Sequence, residues 1–208
     1  MPVAAATDSQ IASLYKAAVS PQIVKVPELT FLMIDGRGDP NTAPDYQNAI
    51  QTLYGLSYAL KFALRRPDGT SYRVSPLEGL WWADDPRAFQ TADKSAWQWT
   101  AMIRQPAVVT ADLVNSCAEA VIRKRPLPAL DAVRLTSFTE GWAAQVLHVG
   151  PYSAEGPTIS RLHTFITEHG YRLEGKHHEI YLGDPRRAAP ERLRTIIRQP
   201  FSQPDQGP

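Results

Sequence analysis

The chain has 208 residues, 43% of them hydrophobic, which is enough for one real core in one domain or a tightly fused pair. Its 22 Lys and Arg against 21 Asp and Glu leave a formal charge of +1, so no global field draws it to phosphate backbones or anionic lipid. No stretch approaches the ~20 apolar residues that span a bilayer, the first residues do not read as a secretion signal, and the single cysteine excludes a disulfide framework or a multi-thiolate metal site, which makes the cytoplasm the expected compartment.

In chain order, residues 1–23 form a helical extension whose helix, over 8–17, is capped by Asp8 or Ser9 and docked by Ile11, Leu14 and Tyr15. Twenty residues are too few for a helix-turn-helix module. The first clear strand covers 29–35 and ends in the Gly36-Arg37-Gly38-Asp39-Pro40 turn, whose adhesion-like Arg-Gly-Asp is a coincidence in a chain without a secretion signal. A helix follows over 44–65, with Tyr46, Ile50, Leu53, Tyr54, Ser57, Tyr58 and Lys61 at helical spacing. After the Pro67-Asp68-Gly69 break, 70–74 and 77–82 read as two short strands. The charged loop Asp84-Asp85-Pro86-Arg87 and a strand over 97–104 come next.

A capped helix over 110–123 carries Cys117 on the face of Leu113, Val114 and Val121, as a buried structural thiol. Residues 133–138 and 142–149 read as a hairpin turned at Glu140-Gly141. The order then starts again: the Gly150-Pro151 turn, a helix over 158–169, strands over 171–173 and 179–182, the Gly183-Asp184-Pro185 loop, and a strand over 193–198. Residues 201–208 are expected to be a flexible tail.

That recurrence is the most informative feature. Ile103-Arg104-Gln105-Pro106 meets Ile197-Arg198-Gln199-Pro200, and 77–81 meets 178–182, which makes Glu78 and Glu179 counterparts. The predicted fold is α+β: two βαββ repeats, about 24–106 and 133–200, joined about a pseudo-two-fold axis into one domain over 24–200, with antiparallel sheets, helices and a pocket between the halves.

A carboxylate enclosed by aromatic walls and partly stripped of water can act as a base near neutral pH or pair with a cation, and Glu78 and Glu179 are the candidates, Glu179 preferred. The alternative is that each pairs with a nearby Arg or Lys. Tyr54 and Tyr58 stand one helical turn apart and Trp81, Trp82, Trp97 and Trp99 sit on adjacent strands, a set that can grip a flat ligand or fill the core. His148 and Tyr152 bracket the Gly150-Pro151 turn, where a phenol can donate to a ligand oxygen or pack the turn. His177-His178-Glu179 does not form a metal site, because consecutive strand residues point to opposite faces and no spaced third ligand follows. No phosphate loop, serine elbow or zinc-protease helix is present, so no cofactor is expected.

The stretches Ile34-Asp35-Gly36-Arg37-Gly38-Asp39-Pro40, Leu53-Tyr54-Gly55-Leu56-Ser57-Tyr58, Pro76-Leu77-Glu78-Gly79-Leu80-Trp81-Trp82, Met102-Ile103-Arg104-Gln105-Pro106, Leu147-His148-Val149-Gly150-Pro151-Tyr152 and 177–185 together make the chain resemble standalone GyrI-like small-molecule-binding proteins, over nearly all of 24–200. The resemblance implies the duplicated fold of the effector-binding domains of bacterial multidrug-responsive regulators, with a central glutamate and aromatic walls. It also implies a hydrolase that opens the cyclopropane ring of DNA-alkylating natural products of the yatakemycin and duocarmycin type, for self-protection or detoxification. Other members imply a binding or sequestering protein without turnover, or a gyrase-inhibitor role. On the enzymatic reading Glu179 is the general base, Tyr54 or Tyr152 donates to the developing oxyanion, Glu78 assists, and Tyr58, Trp81, Trp99, Met102, His148 and Tyr181 bind the planar, hydrophobic small molecule. Neither nucleic acid nor membrane is an expected partner.

Overall fold

Two 16-residue strands, β1 (Gln22–Arg37) and β4 (Arg134–Val149), each give one end to each of two compact units. The central unit is Leu29–Phe138 and the terminal unit joins Met1–Glu28 to Thr139–Pro208, both named for their place in the sequence. The computed structural model describes residues 7–84, 94–123 and 125–203, so the Asp85-Pro86-Arg87 loop lies outside the described residues.

In the central unit the end of β1, β3 (Gln98–Gln105) and β2 (Leu77–Trp82) form an antiparallel sheet with β3 in the middle. Helix α2 (Pro44–Ala63) starts on a proline, whose missing N–H costs nothing in the first turn, and carries Asp45 where the helix dipole favours an anion. Ala49, Leu53, Leu56 and Leu60 recur at helical spacing and are fully buried. Tyr46 on α2 packs against Trp81 and Trp99, with ring centroids 5.5 and 5.0 Å away, and Gln105 Nε2 donates to Ser57 Oγ at 3.1 Å. The helix therefore covers the sheet face that alternation assigns to Leu77, Gly79, Trp81, Trp99, Ala101, Ile103 and Gln105. Glu78, Thr100 and Met102 belong to the opposite face. Helix α3 (Ala111–Ile122) is capped by Thr110, whose Oγ1 accepts from Leu113 N, and buries Val114 and Cys117. Burial pushes the Cys117 thiol up, which keeps it protonated and inert.

Several expectations are corrected. Residues 70–74 are not a strand: Ser71 Oγ donates to Lys61 O and Tyr72 Oη to Ser57 O, so side chains tie this segment to α2 and no ladder forms. Glu140-Gly141 is not a hairpin turn, because β4 runs through it; Gly141 takes φ 78°, a kink that only glycine absorbs cheaply, while the Glu140 side chain is buried in an ion pair. The tail does not begin at 201, since strand β7 (Arg194–Ser202) extends through Ser202 and buries Phe201.

In the terminal unit β7 pairs with β4 on one side and with β6 (His177–Tyr181) and β5 (Arg172–Leu173) on the other, all antiparallel. Helix α4 (Gly156–Glu168) sets Leu162 and Ile166 against Ala144, Val146, Ile197 and Phe201. The other face carries Leu147, Ile180 and Ile196, covered by Tyr15 and Ala17 just beyond α1 (Asp8–Leu14). Thr7 with Gln10, rather than Asp8 or Ser9, caps α1 in a reciprocal box.

Arg198 ties this face together. Its guanidinium donates to Gln145 Oε1 at 3.0 and 3.1 Å, to Glu140 Oε2 at 3.0 Å and to Leu14 O at 2.8 Å, and Glu140 Oε1 lies 2.8 Å from His178 Nδ1. Burial pushes the Glu140 carboxyl up, but the His178 and Arg198 charges and hydrogen bonds outweigh it and hold it at about 2, against 4.5 unperturbed. A carboxyl depressed in the folded state stabilises fully above its unfolded value and loses that contribution as pH falls toward the folded one. Glu140→Gln is therefore expected to cost about 3 kcal/mol at pH 7, and the gap to wild type should close between pH 4.5 and 2, as measured by denaturant unfolding across pH. A gap that stays constant over that window would show that the charge of Glu140 is not what stabilises the fold.

Candidate functional site

Strand β6 separates two kinds of chemistry by alternation. His178 and Ile180 are buried on the face of the Arg198 network, while His177, Glu179 and Tyr181 share the other face and are half-buried. On that face His177 Nε2 lies 3.2 Å from Glu179 Oε1, and Tyr181 Oη donates to Glu179 Oε2 at 2.8 Å. The Tyr181 ring meets the Tyr152 ring edge-on, centroids 5.5 Å apart. Glu179, Tyr152 and Tyr181, selected separately from the sequence, thus form one cluster, with Glu179 held through both oxygens at 14% side-chain exposure.

Tyr152 opens the short 3-10 turn Tyr152–Ala154 that precedes α4. The same corner is pinned by His148: Nε2 reaches Pro151 O at 3.3 Å and Nδ1 reaches Thr158 Oγ1 at 3.0 Å. A carbonyl only accepts, so Nε2 carries the proton and Nδ1 accepts from the threonine. Both ring nitrogens of His148 are thus engaged in the turn. Helix α4 contributes His163, whose imidazole is lowered first by burial and second by the charge of nearby His177. Sequence reasoning passed over His163, which carries no local signal among the apolar positions of α4. It read His177 only as a failed metal ligand, although its period-two spacing with Glu179 and Tyr181 was visible. Among the described residues no group of three or more His, Cys, Asp or Glu side chains is arranged to hold a metal ion.

The remaining candidates lie in the central unit. Tyr54 and Tyr58 stack on α2 with centroids 6.4 Å apart, Tyr58 being 46% exposed. Trp81 and Trp99 are core residues, packed around Tyr46. Glu78 is buried and stands directly across from Met102, which in turn faces Met33, a row of one carboxylate and two thioethers over three strands. Trp99 also lines a cavity of about 510 Å³ with Asp35, Gly36, Asp45, Asn48 and the loop through Pro126, Leu127 and Pro128. Asp35 is held by Thr100 Oγ1 at 2.6 Å and by Arg134 at 2.8 Å.

The glutamates are not counterparts in register. With Ile103 set on Ile197, the partner of Ile103 is Leu77 and the partner of Ile197 is Glu179, so Glu179 corresponds to Leu77 and Glu78 to Ile180. A one-residue offset exchanges faces. Glu179 belongs to the face its unit's helix covers, and Glu78 to the face turned away from α2.

The sequence model of the GyrI-like small molecule binding domain matches residues 20–201. An uncharacterized conserved protein from Listeria innocua is 40% identical over 93% of this chain and 98% of its own, with a TM-score of 0.85. A hydrolase from Listeria innocua is 38% identical over 93% of this chain and 98% of its own, with a TM-score of 0.81. The C-terminal domain of EcmrR, 12% identical over 89% of this chain and 98% of its own at a TM-score of 0.56, shares the fold alone. No curated protein sequence matches.

A Cβ at Gly36 would land inside the Trp99 indole, which lies across that glycine from the neighbouring strand. Gly36→Ala is expected to displace Trp99, destabilise the protein by about 1–3 kcal/mol and change the near-ultraviolet circular dichroism. An unchanged spectrum and melt would mean that the indole does not rely on the glycine.

Proposed function

The chain belongs to the GyrI-like small-molecule-binding family, and from that premise we propose that it is a hydrolase that opens the cyclopropane ring of cyclopropanoid DNA-alkylating natural products of the yatakemycin and duocarmycin type, protecting the cell that carries it. The observation that carries this reading is the Glu179 carboxylate, fixed through both oxygens beside two tyrosines on a half-buried strand face. Relatives named hydrolases at 38% and 39% identity support it.

The reaction asks little of the protein beyond placement. Glu179 takes a proton from water as the water oxygen bonds to a cyclopropane carbon; the ring C–C bond breaks, and its electron pair passes through the conjugated system to the carbonyl oxygen. That oxygen becomes a phenoxide, accepts a hydrogen bond, and recovers the proton from Glu179, so the net change is addition of water. The Tyr181 hydroxyl is directed at Glu179, which favours Tyr152 over Tyr181 as the donor to the oxyanion. Tyr181 and Tyr152, which meet edge-on beside Glu179, supply shape and aromatic contact for the flat ligand.

The fold reading that goes with this function is a duplicated βαββ unit, supported by the order β1, α2, β2, β3 in the first half and β4, α4, β6, β7 in the second, where the two-residue β5 is an addition. Its two glutamates then serve different purposes, because the registers offset them by one residue.

Incubation of the purified protein with a cyclopropane-containing alkylator, followed by mass spectrometry, should give the ring-opened water adduct in many turnovers. Glu179→Gln should lower the rate by about 10²–10⁴-fold with the ligand still bound, and Tyr152→Phe should lower it less. Tight binding with intact compound recovered would replace the hydrolase with a sequestering protein.

A further inference from the structure

We propose that His177 is a positioning residue for Glu179, an inference that rests on the hydrolase reading: its Nε2–H fixes one carboxylate oxygen so that the base is aimed before substrate arrives. The geometry behind this is a two-point clamp. His177 Nε2 stands 3.2 Å from Oε1 and Tyr181 Oη 2.8 Å from Oε2, and all three side chains leave the same face of β6 at positions i, i+2 and i+4. A glutamate side chain has three rotatable bonds, and a single anchor leaves the carboxylate plane able to turn; anchors on both oxygens remove that freedom. Carboxylates accept roughly four hydrogen bonds, so one anchor on each oxygen is compatible with taking the proton of a water.

An ionised carboxylate only accepts, which places a proton on His177 Nε2. On the α4 side His163 lies near enough to His177 to feel its charge, which together with burial lowers the His163 imidazole. Both His177 and Glu179 are 14% exposed in their side chains, dry enough for the hydrogen bond to hold against water.

The test compares wild type, His177→Phe and His177→Gln in the full chain, by steady-state hydrolysis of a cyclopropanoid alkylator over a pH series. Phe keeps a flat ring without the donor; Gln restores an N–H at similar reach. His177→Phe should lose about 10- to 100-fold in kcat with KM within about twofold, and His177→Gln should recover most of the loss. Thermal melts must show both variants folded. Full kcat in the folded Phe variant, a loss confined to KM, or equal losses in Phe and Gln would each overturn the assignment.

If wild type itself shows no turnover, the hydrolase reading fails and the clamp is read separately from the ¹³C carboxyl titration of Glu179. Its midpoint should then rise in His177→Phe and stay near wild type in His177→Gln. The same midpoint in all three proteins would overturn the clamp whatever the activity.

Discussion

The terminal unit depends on one buried guanidinium. Arg198 is almost fully enclosed, yet it holds the backbone of Leu14, the amide of Gln145 and the carboxylate of Glu140, and through Glu140 it reaches His178. Burying such a charge costs several kcal/mol unless its donors are met, and here two side chains from β4 and a carbonyl from the end of α1 meet them. The result is specificity of phase more than raw stability. Once His178 is committed to Glu140, strand β6 cannot slip by a residue without exposing that pair, and Glu179 is thereby fixed on the opposite face.

The central unit solves a different problem with apolar means. Its sheet must accept a full indole between strand and helix, and Gly36 supplies the space by having no side chain where Trp99 lies. Tyr46 meets that ring edge to face and tilts against Trp81, which in turn meets Trp97 edge to face, so that positive ring edges approach negative ring faces. The opposite face of the same sheet carries Glu78 at one end of a row that continues through Met102 to Met33, whose sulfur accepts from Arg134.

Much of this was legible in the residues. The three long helices announce themselves by their apolar spacing, Pro44 and Thr110 mark where two of them start, and the alternation in His177-His178-Glu179-Ile180-Tyr181 separates the two faces of β6. The failures share one cause: they needed partners remote in the chain. Glu140-Gly141 looks like a turn until Arg198, 58 residues away, claims the glutamate. Residues 70–74 look like a strand until side chains bind them to α2. The pairing of Glu78 with Glu179 followed from matched words in the sequence, whereas strand register is set by ladders that no local motif encodes. His163 was invisible because a lone histidine on an amphipathic helix carries no signal until its neighbours are known.

The alternation of β6 also governs how the strand can change. Under the proposed function, substitutions at 178 and 180 act on folding yield and those at 177, 179 and 181 on activity, so tolerance to random replacement along five consecutive codons should rise and fall with a period of two. A point substitution can alter one property and spare the other. A single-codon insertion or deletion cannot, because it exchanges the buried Glu140-paired face and the Glu179 face along the rest of the strand.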